Sequence, residues 1–283
     1  ADFLDSFGLL IERALDPASD KALMARALSL PGISEISQQQ DVVDPSAIAK
    51  VKKSIEAAIK REHKAALTKI YKANSDEGEF SVSAEAMGKR ALRNVVLGYL
   101  TTTKGTGCAK LATEHYQGAD NMTDRMAALN SMIDNKNAPR EEILHNFYKK
   151  FKDYPLVIDK WFSIQASADR DDIFECLDYL KNHADFSMKN PNRVRSLYGA
   201  FAMNNPVRFH DPSGRGYEFL KDGIIELNGI NPQIAARMVT PLREWRRYTP
   251  DRQEKMKAAL QEIANLENIS PNVFELVTKS LNG

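Results

Sequence analysis

The sequence lacks the features that would place it among nucleic-acid-binding or membrane proteins. Its charges balance, because 39 Lys and Arg residues stand against 38 Asp and Glu residues. A protein that binds nucleic acid or an anionic membrane surface normally carries a positive surplus in place of counterions. No apolar run approaches the roughly 18 residues that a membrane span requires. We therefore predict that neither nucleic acid nor a membrane is a partner.

Cysteine is also scarce, since Cys108 and Cys176 are the only two in 283 residues. Two distant thiols without a secretory leader favour a reducing compartment over a disulfide framework, which predicts free thiols and a cytoplasmic protein. The chain begins at Ala1 within an apolar-periodic segment and without an initiator methionine. We interpret this start as a cut through a larger protein, with methionine removal as the alternative.

The sequence contains no recognisable catalytic or metal-binding motif. No histidine lies in an HExxH pattern, which would place two zinc ligands and a general base on one helix, and the cysteines form no CxxC pair. Ser213 lies beside His210 and Asp211, but the string DPSGRG is typical of a turn and has no GxSxG elbow. We predict no catalytic residue, no metal site and no cofactor in this chain.

Proline marks the organisation of the chain, because it is well accepted in the first turn of a helix. Nine of the twelve prolines follow a side chain that can cap a helix. The nine pairs begin at Asp16, Asp44, Asn190, Asn205, Asp211, Asn231, Thr240, Thr249 and Ser270. Most of these pairs predict helix starts.

Apolar residues after these prolines recur every three or four positions, the period of a helix with one buried face. One stripe comprises Met256, Leu260 and Ile263, and residues 45–73 carry a longer stripe that predicts an uninterrupted helix of roughly 43 Å. A strand-like alternation occurs only at residues 79–83. We predict an all-α fold of about 14–16 helices, arranged as a superhelical array of antiparallel hairpins of the HEAT or armadillo type, with residues 1–283 as one domain.

The charge balance hides a local asymmetry in the C-terminal third. Residues 186–256 contain twelve Lys and Arg residues against seven Asp and Glu residues. Two of these cations have unusual sequence surroundings. Arg237 lies in the apolar string IAARMV, and Pro241 predicts that its helix ends or bends there. Arg195 follows the helix start at Asn190 and precedes small residues that would let a second helix approach closely.

Arginine suits a carboxylate because its planar guanidinium can donate two parallel hydrogen bonds. Arg195 and Arg237 are therefore candidate cavity-facing residues, and an internal salt bridge for each is the alternative. The other ten cations of this segment are expected to be solvated.

Several strings resemble the C-terminal domain of the bacterial aminopeptidase N family, the zinc-dependent alanyl aminopeptidases. They include NMTDRMAALN from Asn121, LVIDKWFSIQA from Leu156, NPNRVRSLYGAFAMNNPVRFH from Asn190 and NPQIAARMVTPL from Asn231. The likeness is collinear and covers essentially the whole chain.

The resemblance implies a helical superhelix that packs on a separate, upstream catalytic domain and closes over its active site. The family's zinc motif and catalytic residues belong to that upstream part, and the substrates are peptides. Arginines at the positions of Arg195 and Arg237 are expected to face the internal cavity. Two alternatives are a stand-alone helical-repeat adaptor, which would bind another protein in a concave groove, and an independent hydrolase.

Overall fold

The computed structural model describes residues 2–75 and 78–283, and within these ranges the protein is helical without a β-strand. The α-helices are α1 Asp2–Leu15, α2 Lys21–Ala27, α3 Ile33–Ser37, α4 Pro45–Ala73, α5 Ala84–Thr101, α6 Thr106–Gly118, α7 Met122–Met132, α8 Arg140–Phe151, α9 Pro155–Ala166, α10 Ile173–Lys181, α11 Pro191–Val194, α12 Ala200–Asn204, α13 Pro206–Phe209, α14 Arg215–Ile230, α15 Pro232–Met238, α16 Pro250–Ala264 and α17 Pro271–Asn282. A π-helical turn, Arg195–Gly199, joins α11 to α12. The described residues thus form sixteen separate helices, and the all-α prediction is confirmed.

The proline pairs mark most helix starts correctly. Six of the nine begin α-helices, with their prolines at positions 45, 191, 206, 232, 250 and 271. Pro241 instead lies in a 3-10 turn, while Pro17 and Pro212 lie in turns that precede α2 and α14. Before α2 the capping residue is Asp20, whose carboxylate accepts from the first backbone amides of the helix. Where several capping residues lie close together, the sequence alone does not determine which of them starts the helix.

The strand-like alternation at residues 79–83 forms no strand in the described ranges. Arg90 Nη2 donates to the Ser81 carbonyl at 2.6 Å, and the Ser83 hydroxyl caps α5. These residues therefore serve as the lead-in to a helix. The one β-type pairing that the structure describes is an isolated bridge between Val43 and Tyr248.

Two compact units make up the chain: one comprises residues 1–32 and 50–146, and the other comprises residues 33–49 and 147–283. The organisation of residues 1–283 as one domain stays a prediction.

The core of the first unit lies between α1, α2, α4 and α5. Phe7 and Ile11 of α1 are buried in one cluster with Leu67 of α4 and Val96 of α5. Tyr99 closes this cluster by donating its hydroxyl to the Leu28 carbonyl at 2.5 Å. Apolar burial at helical spacing thus holds the unit together.

Helix α4 has the predicted bounds but is not uninterrupted. His63 has non-helical backbone angles, with φ −117° and ψ 16°, so the helix kinks there. Neither proline nor glycine explains the kink. The His63 ring instead packs against Gly8 of α1, where an added Cβ would lie 2.9 Å from Cε1. The kink thus accompanies a tertiary contact, which the helical period could not indicate.

The second unit buries the predicted stripes. Met256, Leu260 and Ile263 of α16 are fully buried, and so are Val273 and Val277 of α17. Helix α14 packs against α15 and α16, which places its backbone close to other chain segments.

Two glycines of α14 give a stability prediction. A Cβ at Gly216 would lie 2.2 Å from the Phe209 carbonyl oxygen, whereas one at Gly229 would meet no described atom within 4 Å. We expect Gly216→Ala to lower the free energy of unfolding by about 2 kcal/mol or more, because backbone must move. We expect Gly229→Ala to raise it by about 0.5 kcal/mol, because alanine favours the helix. Urea denaturation of both variants checks this, and equal midpoints would contradict the close approach.

Candidate functional site

The two candidate arginines are exposed, and each lies among buried neighbours. Arg195 is the first residue of the π-helical turn, and its Nη1 donates to Asn192 Oδ1 at 3.1 Å. Arg237 belongs to α15, where Ala236 and Met238 on either side of it are buried. Neither arginine forms an ion pair with a carboxylate of residues 2–75 or 78–283. Within these ranges, no carboxylate forms the internal salt bridge that is the alternative for each arginine.

Gly199, at the end of the turn that begins with Arg195, lies near Met238 of α15. A Cβ added at Gly199 would lie 3.8 Å from Arg195 Cβ and 3.9 Å from Met238 Cε. Gly199 therefore lies one turn beyond Arg195 and faces the residue next to Arg237. Both distances are those of ordinary van der Waals contact, so the tight helix crossing stays a prediction.

The π-helical turn itself is notable because such turns are rare and are frequent at functional sites. It carries Arg195 at its start and Gly199 at its end. Arg193 and Val194, directly before it, are buried, whereas Arg195 is exposed. The π-helical turn therefore begins between a buried cation, Arg193, and an exposed one, Arg195.

A cavity of about 470 Å³ lies in the same unit, further along both segments. Met203 lines it eight residues after Arg195, and Pro241 lines it four residues after Arg237. The 3-10 turn that begins at Thr240 follows the end of α15 at Met238, as the proline predicts. Residues at the end of α12 and just after α15 thus line the same cavity.

The polar wall of this cavity is weakly cationic. Arg247 pairs with Glu244 at 2.8 Å and also donates to the Ser37 carbonyl, while Arg243 is exposed. His210 is buried, and its Nδ1 lies 2.9 Å from the Tyr217 hydroxyl. Burial, with Arg252 nearby, lowers the pKa of His210 to about 3, so it is neutral at pH 7. The wall therefore favours an anionic or polar ligand group.

The expectation that the other cations of this segment are solvated is wrong for three of them. Arg193, Lys221 and Arg252 are only 6%, 8% and 5% exposed. Lys221 Nζ lies between Glu218 and Glu262, and Arg252 Nε donates to the His210 carbonyl. Glu218 is three residues from Lys221, but Glu262 and the His210 carbonyl lie 41 and 42 residues from their partners, so composition and period carry no sign of these contacts. In this segment the buried cations are structural and the two candidate arginines are exposed.

The structure describes no group of three or more His, Cys, Asp or Glu residues that could hold a metal ion within residues 2–75 and 78–283. That this chain binds no metal stays a prediction.

None of the helices in the described part of the chain is both long enough and apolar enough to cross a membrane.

One cluster of reactive groups escapes sequence reasoning. Cys108 Sγ lies 3.1 Å from Lys60 Nζ and 3.4 Å from Thr103 Oγ1. Lys60 belongs to α4 and is 48 residues away in the chain, so no local motif indicates the contact.

Comparisons with known proteins agree with the resemblance. A family model described as a domain of unknown function (DUF3458_C) with ARM repeats matches residues 1–282. The chain is 39% identical to aminopeptidase N of Escherichia coli (strain K12) and 38% identical to that of Caulobacter vibrioides, over 94% and 95% of its length. Each match spans 31% of the relative.

A solved structure shows the same fold. The crystal structure of Legionella pneumophila aminopeptidase A in complex with aspartic acid superposes with a TM-score of 0.88 at 27% identity. The match covers 98% of this chain and 33% of that one. The chain thus spans about a third of the length of these proteins. It belongs to the DUF3458_C family of ARM-repeat domains, and it is a C-terminal domain of the aminopeptidase type.

Proposed function

We propose that this chain is the C-terminal helical part of a cytoplasmic, zinc-dependent aminopeptidase that releases N-terminal amino acids from peptides. In this proposal it encloses the active-site cavity, controls substrate access and has no catalytic activity alone. The relatives carry the name aminopeptidase N, which favours this function over a stand-alone adaptor. The catalytic domain that it would contact is upstream in the same polypeptide.

The observation that carries the proposal is the pair of exposed arginines, neither of which pairs with a carboxylate of the described residues. An exposed guanidinium without a carboxylate partner remains available to an anionic ligand. Arg195 and Arg237 are available in this sense, and Gly199 of the Arg195 turn lies near Met238, the residue next to Arg237. A free peptide presents one carboxylate at its C-terminus, which a guanidinium can hold with two hydrogen bonds. We infer that the two arginines orient peptides by this group.

Zinc enters only as a property of the proposed whole protein. It would act as a Lewis acid and activate water in such a peptidase. No described residues of this chain come together as a ligand set, so its holders would lie outside the chain. The contribution of this chain would be the cavity wall, its cations and the limit that it sets on access.

Kinetics with charged and amidated peptides test the arginines. In the complete polypeptide, Arg195→Ala and Arg237→Ala should each lower kcat/KM for di- to tetrapeptides by about 10- to 100-fold, the equivalent of roughly 1.5–3 kcal/mol for a lost charged hydrogen bond. The same peptides with amidated C-termini should lose far less. Arg215→Ala is a matched control, because Arg215 is exposed in the same unit but lies 4.2 Å over the Phe174 ring.

Two outcomes would contradict the assignment of the arginines. One is unchanged kcat/KM for every peptide length, and the other is an equal loss for acids and amides.

The other functions have their own tests. An adaptor predicts a native cellular product of this length, whereas the aminopeptidase predicts one as long as the relatives, which intact mass and N-terminal mapping distinguish. An independent hydrolase predicts turnover of an aminoacyl substrate by this chain with added zinc, and we expect none.

A further inference from the structure

Four helices of the first unit contribute to one buried cluster of polar side chains. The members are Tyr71 of α4, Asn94 of α5, His115 of α6 and Asp124 of α7. The Tyr71 hydroxyl lies 2.8 Å from His115 Nδ1, and Asn94 Nδ2 donates to Asp124 Oδ1 at 2.8 Å. His115 and Asp124 are only 3% and 4% exposed. The cluster is therefore shielded from bulk solvent.

Two buried atoms of this cluster have no hydrogen-bond partner among residues 2–75 and 78–283. They are His115 Nε2 and Asn94 Oδ1. His115 Nε2 lies 3.9 Å from Asp124 Oδ1, which is too long for a direct hydrogen bond. Buried polar atoms are nearly always paired, because burial removes the hydrogen bonds that water gave them. The two atoms therefore point to a small polar ligand.

The surroundings of His115 determine which ring nitrogen carries the proton. Burial lowers the pKa of His115 to about 4, so at neutral pH one ring nitrogen donates and the other accepts. The Tyr71 hydroxyl donates to Nδ1, because an unprotonated ring nitrogen is a stronger acceptor than a phenol oxygen. The nearby carboxylate of Asp124 favours the proton on Nε2. We therefore assign His115 Nε2 as an N–H donor.

This hydrogen-bond pattern specifies the chemistry of the ligand. The ligand must accept from His115 Nε2 and donate to Asp124 Oδ1, an oxygen with capacity beyond the bond from Asn94. Asn94 Oδ1 belongs to the amide that bonds Asp124, so it lies within about 5 Å of Asp124 Oδ1 and needs a donor as well. Water supplies one acceptor site and two donors, and buried waters typically make about three hydrogen bonds.

A cation fits these groups less well than water. A protonated ring nitrogen has no lone pair for a metal ion, which binds a neutral imidazole nitrogen. Arg93 adds a positive charge next to the cluster, since its guanidinium lies 4.8 Å from the centre of the Tyr71 ring. Its charge also opposes protonation of His115, so it acts at the same place. The electrostatics thus favour a neutral occupant.

A cavity beside the cluster gives solvent a route to it. The cavity has a volume of about 540 Å³ within the first unit, and its wall includes Asn94 of α5 and Ala127 of α7. Ala127 lies about one helical turn after Asp124. Asn94 therefore belongs both to the cavity wall and to the buried cluster.

We propose that this cluster is a binding site for one water molecule, which bridges His115 Nε2, Asp124 Oδ1 and Asn94 Oδ1. The water would join α5, α6 and α7 at a point where their side chains do not reach one another directly. This site is independent of the proposed peptidase function.

Crystallography of the complete protein, at a resolution that shows ordered water, tests the site. We expect one density peak at about 2.6–3.2 Å from each of the three atoms. The absence of a peak would overturn the proposal, and so would a direct bond between His115 Nε2 and Asp124. A peak about 2.0–2.1 Å from Nε2 would also overturn it, because that is the distance of a bound zinc ion.

Asp124→Glu tests whether water fills the gap beside His115. The added methylene extends the carboxylate by about 1.5 Å, enough to bond Nε2 directly, so the peak should be lost. Asp134→Glu is a matched control, because Asp134 lines the same cavity but pairs with Lys104 at 3.1 Å, and it should keep the peak. A peak with unchanged contacts in folded Asp124→Glu would overturn the bridge.

Neutron diffraction from deuterated crystals of the unaltered protein tests the hydrogen-bond pattern without a variant. We expect a deuteron on His115 Nε2, none on Nδ1, and the two deuterons of the water directed at Asp124 and Asn94. A deuteron on Nδ1 alone would overturn the proposed pattern, even if Asp124→Glu failed to fold.

Discussion

Replacing Arg193 with alanine is expected to lower the free energy of unfolding by about 3–5 kcal/mol, because it leaves a partly buried carboxylate without its partner. Arg193 is 6% exposed and joins three elements of the second unit. Its Nη1 donates to Asp159 and to the Pro155 carbonyl, and its Nε donates to the Asp185 carbonyl at 2.9 Å. The guanidinium also lies 5.4 Å from the centre of the Phe162 ring.

Chemical denaturation measures this loss, with an exposed ion pair as the control. Arg61 pairs with Glu62 at 3.0 Å but has a side chain that is 70% exposed, so Arg61→Ala should cost less than about 1 kcal/mol. Arg193→Lys should also destabilise, since an ammonium cannot reproduce the planar set of donors. A cost for Arg193→Ala no larger than for Arg61→Ala would contradict the role of Arg193 as a buried junction.

Acidification from pH 6.5 to pH 4 is expected to destabilise the protein through two buried histidines. Burial lowers the pKa of His210 to about 3 and that of His115 to about 4. In the unfolded chain both take up a proton near pH 6.5, whereas in the folded chain they stay neutral until much lower pH. The unfolded state therefore binds more protons across this interval, and the free energy of unfolding falls by roughly 1 kcal/mol per pH unit for each histidine.

The environments of these histidines explain why folding keeps them neutral. His115 is 3% exposed, its Nδ1 lies 2.8 Å from the Tyr71 hydroxyl, and Asp124 at 3.9 Å is too distant for a hydrogen bond. His210 stacks on Tyr248, and the charge of Arg252 opposes its protonation.

Urea titrations at several pH values measure the slope, and glutamine variants assign it. His115→Gln and His210→Gln should each flatten the dependence between pH 6.5 and pH 4. A slope that neither buried-histidine variant alters would show that other groups cause the loss.

The comparison of Arg193 with Arg195 illustrates how far the sequence alone reaches. The two residues lie on opposite sides of one helix, and the segment contains twelve cations with no pattern that marks which are buried. Small residues follow Arg195 in the sequence, and one of them, Gly199, lies near Met238 in the structure. Arg193 was expected to be solvated and is buried. Its partners Asp159 and Asp185 lie in other parts of the fold, and no periodic pattern in the sequence indicates these contacts.

The reactive cluster shows the same limit in the first unit. Cys108 and Cys176 are equivalent in the sequence, as isolated thiols in helical segments. Folding places Lys60 of α4 3.1 Å from the Cys108 sulfur. Local motifs cannot indicate such a group, because its position depends on how two helices pack.

By itself the sequence determined the all-α fold, most helix starts, the buried stripes and the likeness to aminopeptidase N. These properties follow from local backbone preference, the helical period and collinear strings, all of which are readable along the chain. The tertiary structure alone decided the kink at His63, the burial of Arg193, Lys221 and Arg252, and the pairing of Cys108 with Lys60. Each of these depends on which groups from distant segments meet, and the energy of a charged side chain depends mainly on that meeting.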